Sequence, residues 1–149
     1  MLQPFHVDKA INTLVEGLAE DFIKEYYLQT QRLRVEVYEN SFEYLEGKRG
    51  FDKRVSTGDL WEVKNDVKAW HTPNVFVERT AFAHSKSSHY LYFVHGWVVA
   101  MRREQIASLI AEFEATERHA GDGFRAIGVL VPASRFFEEG FVVRLSKYV

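Results

Sequence analysis

Three side chains near the middle of the chain have types and spacing that could do chemistry: Asp52, Glu62 and Lys64. Glu62 and Lys64 stand two residues apart in a β-rich run, so both leave one face of a strand. Val63 between them points the other way, toward a core. Asp52 lies on the preceding run, and Ser56-Thr57-Gly58 between the two reads as a hairpin turn. A three-residue loop with Gly58 in the left-handed conformation sets Val55 opposite Asp59 and Asp52 opposite Glu62. One face of the hairpin then carries Asp52, Arg54, Leu60, Glu62 and Lys64, and the other carries Lys53, Val55, Trp61 and Val63. A two-residue loop would set Asp52 against Val63 and disperse the group. Cross-strand neighbours have Cβ atoms ~4.5–5.5 Å apart, and carboxylates that close repel unless something positive lies between them. An oxygen-seeking divalent cation suits that place. Such a metal can activate water and stabilise charge on a phosphate, and a lysine beside it can orient the water. An E-x-K by itself is more often a plain solvated strand face.

The surroundings of these residues carry more. Gly50-Phe51-Asp52-Lys53, then Glu62-Val63-Lys64-Asn65-Asp66, then Thr72-Pro73-Asn74-Val75-Phe76-Val77-Glu78 resemble the PD-(D/E)XK nuclease superfamily, in particular its small phage- and plasmid-type members. The hallmark of that superfamily is an acid at the end of one strand and (D/E)-x-K on the next. Two departures stand out: no proline precedes Asp52, and Pro73 replaces a usual glycine, which forbids a positive φ there. The resemblance implies a restriction-endonuclease-like fold, a three-layer α/β/α core whose central mixed sheet is flanked by helices. It implies Mg²⁺ or Mn²⁺ held by Asp52, Glu62 and the Val63 carbonyl, with Lys64 beside the attacking water and DNA as the substrate. The first helix of the superfamily often supplies a further glutamate. Glu20 best matches that position, whereas a helical wheel turns Glu25 inward and leaves Glu16 and Glu20 outside. The choice stays open at this level.

Positioning these groups requires a core, and 149 residues with 46% hydrophobic and 15% aromatic content supply one. A single domain over residues 1–149 is expected. No run approaches the ~20 apolar residues of a membrane span, and no signal peptide is recognisable, so a cytoplasmic protein is the default expectation. The absence of cysteine excludes a disulfide framework, a zinc-thiolate site and a thiol nucleophile. Neither a P-loop nor a dinucleotide-binding glycine motif occurs.

The net charge is −2, but its distribution is uneven. Residues 1–46 hold four Lys/Arg against nine Asp/Glu, residues 47–103 ten against five, and residues 104–149 five against seven. The basic surplus therefore coincides with the candidate site. Lys53, Lys68, Asn74, Arg79, Lys86, Arg102 and Arg103 are the candidates for contact with DNA. Arg102 and Arg103 open a helix, where cations oppose the macrodipole.

The chain in order reads as follows. Residues 8–30 form a helix with Asp8 as N-cap and an apolar stripe of Ile11, Leu14, Val15, Leu18, Phe22 and Tyr26. Residues 33–38 alternate like a strand, and Glu39 to Arg49 is a connector or short helix. The hairpin strands are 51–55 and 60–65, with a loop from Asn65 to Thr72. A strand follows over 75–82, and Arg79 to Ser88 reads as a mobile polar loop. A second hairpin, 90–94 and 97–100, turns at His95-Gly96. Its continuous apolar run is that of strands covered on both faces. Residues 103–119 form a second helix, 126–131 a strand, 132–139 a helical turn and 141–145 a last strand. The sheet is expected to comprise residues 51–100 and 126–131. The function expected is metal-dependent hydrolysis of phosphodiester bonds in DNA. The alternative is a non-catalytic nucleic-acid- or protein-binding module on a nuclease-like scaffold, and a nuclease subunit needing a partner is a third reading. A homodimer is the simplest way for so small a domain to cut two strands.

Overall fold

A computed structural model of the chain describes residues 4–39, 52–64, 72–113, 115–119 and 125–148. Helix α1 (Pro4–Gln31) opens it. Proline is tolerated in a first helical turn, where its missing N–H has no partner to lose. Asp8 consequently lies inside the helix and is not its N-cap. Leu18, Ala19, Phe22, Ile23, Tyr26 and Tyr27 recur at helical spacing and are buried. Arg32, with φ 52°, turns the chain out of the helix.

Six strands form one mixed sheet in the order β1 (Val37–Glu39), β2 (Lys53–Val55), β3 (Leu60–Lys64), β5 (His89–Val94), β6 (Trp97–Arg102), β9 (Phe141–Arg144). Only β3 and β5 pair in parallel; the other neighbours are antiparallel. The parallel pair needs a crossover, and that crossover contains β4 (Asn74–Glu78) and helix α2 (Arg79–His84). β4 leaves the large sheet and joins β8 (Arg125–Pro132) and β7 (Ala115–His119) in a three-stranded antiparallel sheet, order β4-β8-β7. Among the described residues there are also helices α3 (Arg103–Glu112) and α4 (Ala133–Glu139) and a 3₁₀ turn at Leu145–Lys147.

Strand alternation divides the interior into two cores. Trp61, Leu91, Phe93, Val98 and Ala100 face α1 and pack on Phe22, Ile23, Tyr26 and Tyr27. Tyr90, Tyr92, Val94, Val99 and Met101 face the other way, against Val75, Val77, Val129 and Val131 of the smaller sheet and Ile106, Leu109 and Phe136 of α3 and α4. All six residues of β5 are buried, as expected for a strand covered on both faces. Gly128 marks how closely β8 approaches β4: a Cβ there would lie 2.2 Å from the Val77 carbonyl oxygen and 2.8 Å from the Phe76 ring.

The architecture is thus mixed α/β around a six-stranded mixed sheet, and several expected elements are redrawn. Regular pairing in the first strand is confined to β1, beginning at Val37 rather than at residue 33. The strand expected over 75–82 stops at Glu78, and the polar segment read as a loop contains α2. The second helix ends at Glu112, and Ala115–His119 pairs with β8 as a strand. Residues 126–131 pair with β4 and lie outside the large sheet, which recruits β9 instead. The expected connector beyond Glu39 and the loop over 65–71, with Asp66, Lys68 and His71, lie outside the described residues. No described helix is long and apolar enough to cross a membrane.

Candidate active site

The hairpin that carries the site has the register its turn chemistry dictates. Gly58 sits at φ +97°, its N–H donates to the Val55 carbonyl at 2.8 Å, and the Val55 N–H donates to Asp59 at 2.9 Å. Arg54 pairs with Leu60 and Lys53 with Trp61. The two faces follow the expected alternation: Lys53, Val55 and Trp61 are buried on the α1 side, while Glu62 and Lys64 line a cavity on the other.

The ladder ends one residue before the expected Asp52–Glu62 pair. Asp52 donates its N–H to the Trp61 carbonyl at 2.8 Å, although Trp61 is already opposite Lys53. Two residues thus address one, as at a β-bulge. The Asp52 side chain then turns in to the edge of β3, where Oδ2 accepts the Val63 N–H at 2.7 Å. The carboxylate takes the place of the backbone carbonyl that a continuing strand would have offered. The N–H and C=O of a strand residue leave on the same edge, so the Val63 carbonyl also points to the Asp52 side.

Glu62 and Lys64 meet directly. Lys64 Nζ lies 2.9 Å from Glu62 Oε2, and their side chains are 39% and 15% exposed. The contact has the distance of an ion pair without the alignment of a hydrogen bond. Parallel pairing sets Tyr90 beside Glu62 and Tyr92 beside Lys64. Burial raises the pKa of the Tyr92 hydroxyl, and the charge of Glu62 adds to the effect. The cavity measures about 220 Å³. Glu62, Lys64, Tyr90 and Tyr92 form one wall, and Phe76, Val77, Glu78, Ala81 and Phe82 of β4 and α2 form the other.

Arg103 holds this second wall in place. Its guanidinium donates to the carbonyls of Phe82 (3.2 Å), Ser85 (3.0 Å) and Ser87 (3.2 Å) and to the Tyr90 hydroxyl (3.0 Å). It also lies over the Phe82 ring at 4.4 Å. Arg103 is therefore committed to the protein and is not a free phosphate contact. Lys53 is likewise removed from that role: it is buried and ion-paired to Glu39 at 3.0 Å. Arg102 is exposed and paired with Glu104 at 3.2 Å, which offsets its charge at the start of α3. Arg79 and Lys86 are exposed at and just beyond the two ends of α2, and Asn74 is half-buried at the start of β4. Lys68 lies outside the described residues.

The glutamates of α1 are not brought to Glu62. α1 covers the opposite face of the sheet. Glu20 is exposed and paired with Lys24 at 3.1 Å. Glu25 does turn inward, as the wheel reading has it, but toward the C-terminal segment: Lys147, Tyr148 and Gln29 all donate to it. Burial works to raise its pKa, and those donors outweigh burial and lower it.

Sequence reasoning left out the other groups around the cavity. Glu78 closes the Thr72–Glu78 motif, and its place at the last residue of β4 is the signal for it. Tyr90, Tyr92 and Phe82 gave no separate signal, because aromatic residues at strand spacing read as core.

A divalent metal can be tested against this donor set. Among the described residues, no three His, Asp or Glu are grouped as a metal cage. Mg²⁺ needs no such cage, since it keeps several waters and takes one or two carboxylates. Asp52 and Glu62 supply two carboxylates from neighbouring strands, a donor chemistry of that kind. No protein-family model and no curated protein matches the chain.

Proposed function

We propose that this protein is a metal-dependent nuclease hydrolysing phosphodiester bonds in DNA. The observation that carries the reading is the Glu62–Lys64 ion pair in the lining of a cavity, with Asp52 anchored one residue away on Val63. A strand face built only for solvent has no reason to hold a largely buried carboxylate beside a cavity. Asp52, Glu62 and the Val63 carbonyl would hold Mg²⁺ or Mn²⁺. Bound there, the ion supplies Lewis acidity that acidifies a water and offsets charge on the phosphate oxygens. Asp52 is oriented for this by the Val63 N–H, which occupies Oδ2 and leaves Oδ1 to a ligand. Lys64 donates a hydrogen bond to the attacking water and stabilises charge that develops on the phosphoryl group. Arg79 and Lys86 supply exposed positive charge along α2 for the DNA backbone.

The test is incubation with linear, circular and branched DNA in Mg²⁺, Mn²⁺ or EDTA. Cleavage is expected with either metal, none with EDTA, and none above background for Glu62→Gln. DNA that is bound and left intact under every condition would replace the nuclease with a binding module on the same scaffold.

A further inference from the structure

We propose that the cavity between the Glu62–Lys64 wall and α2 seats one unstacked nucleobase, so that the DNA taken by this site is single-stranded or locally unpaired. The inference rests on the nuclease reading for the position of the phosphate, and adds the substrate class. Two half-buried rings, Phe76 and Phe82, line the cavity together with the buried Tyr90 and Tyr92. At about 220 Å³ it falls below the ~300–1,000 Å³ of sites that enclose a drug-sized molecule, which suits a single flat heterocycle and excludes a base pair. Every base has a π face, and aromatic walls hold it without regard to sequence. Lys64 shares the cavity with these rings, so a base seated among them brings its own phosphate to the ammonium. Glu78, at the end of β4, supplies an acceptor for a base N–H.

The seat is preorganised. Arg103 ties the carbonyls of Phe82, Ser85 and Ser87 to the Tyr90 hydroxyl and stacks on Phe82. The α2 wall and the β5 wall are therefore joined by one side chain, a positioning residue with respect to the base. In an intact duplex both faces of each base are covered by neighbours. Reaching the cavity then means unpairing and unstacking, which costs a paired base more than an unpaired one.

The experiment reads binding in EDTA, apart from any cleavage. A short single-stranded oligonucleotide with one central 2-aminopurine is titrated with wild-type protein and with Ala81→Phe, which fills the cavity. Wild type is expected to change the 2-aminopurine fluorescence on saturation and to bind single strands in preference to duplex. Ala81→Phe is expected to bind the single strand about 5- to 150-fold more weakly, the range spanned by one base–aromatic stack, with its duplex binding unchanged. An oligonucleotide that is abasic at every position should show the same loss on wild-type protein, a measurement independent of how the variant folds. Unchanged fluorescence at saturation, or equal affinity for the intact and abasic strands, overturns the proposal. A fluorescence change on DNA that is never cut in Mg²⁺ or Mn²⁺ removes the nuclease reading and keeps the base seat. Metal-dependent cutting with no abasic effect keeps the nuclease and removes the seat.

Discussion

The two faces of β3 make opposite use of neighbouring residues. On one, Trp61 is completely buried. It stacks on His89 at 4.8 Å and meets Tyr26 edge-on at 5.1 Å. Its indole N–H donates to the Tyr27 hydroxyl at 3.0 Å, and that hydroxyl donates to Asp59, which also accepts from Thr57 at 3.0 Å. The indole N–H, the Tyr27 hydroxyl and Asp59 Oδ2 each have a partner. On the other face, one residue further along, Glu62 keeps an oxygen without hydrogen-bond alignment beside a cavity. The α1 face is packed and hydrogen-bonded, whereas the cavity face sets an ion pair beside open space. Consistent packing on one side and a local violation on the other is the pattern expected where a fold carries a site.

Mutations on the two faces should therefore separate stability from activity. The largest effect belongs to Trp61→Ala, which removes a fully buried ring and should cost about 3–5 kcal/mol, read by denaturant melting. Glu62→Gln should stay within about 1 kcal/mol of wild type in the same melt, because a partly exposed ion pair contributes little. If Glu62→Gln proved as destabilising as Trp61→Ala, the division between the faces would fail.

A smaller effect is expected at Tyr27. Tyr27→Phe strands the buried Trp61 N–H and leaves Asp59 with Thr57 as a donor, and losing a buried partner costs about 1–3 kcal/mol. Metal-dependent cleavage at permissive temperature should be unaffected, since the network lies across the sheet from Glu62.

Smaller again is a pH effect through His89. Burial lowers its pKa below the ordinary 6.5, partly countered by Asp59. The unfolded chain then binds the proton more readily than the folded one. Stability from this site is complete above pH 6.5 and is lost as pH falls through the folded value. The acid limb of a melting-temperature profile should flatten in His89→Phe, and an unchanged limb would remove His89 as its source.

The smallest effects concern the exposed charges. Arg79→Ala and Lys86→Ala should each lower the salt dependence of DNA binding by a slope of about 1 while leaving melting unchanged. Affinity insensitive to salt would indicate that the α2 rim does not meet a phosphate backbone.

How much of this was legible beforehand varied with the kind of signal. The register of the hairpin was readable from Gly58, because a left-handed residue in a three-residue loop leaves few alternatives. The faces of Trp61, Glu62, Val63 and Lys64 followed from period two alone. α1 was readable from its stripe, although its start was not, since Pro4 opened it ahead of Asp8. The Ala115–His119 strand was hidden by helix-favouring Ala, Glu and Arg, and its assignment comes from main-chain pairing with β8, a tertiary effect. α2 was hidden because it is six residues long with no side-chain cap at Glu78. Charge counting found the basic third of the chain but could not tell Arg79, which is exposed, from Lys53 and Arg103, which are occupied inside the protein. The Asp52–Glu62 pairing was legible to within one residue, and the bulge that shifted Asp52 onto Val63 has no sequence signature of its own.

The central claim is that the cavity face of β3 is catalytic, and Lys64 tests it most directly. Single-turnover cleavage of single-stranded DNA in Mn²⁺ should be compared for wild type and Lys64→Ala, with DNA binding and melting measured alongside. The account predicts stability close to wild type, DNA binding weakened by no more than one phosphate contact, and a cleavage rate at saturating DNA lower by ~10²–10³, the loss of one charged contact in the transition state. Lys64→Ala cutting at the wild-type rate would contradict it and would return Glu62 and Lys64 to an ion pair on an ordinary strand.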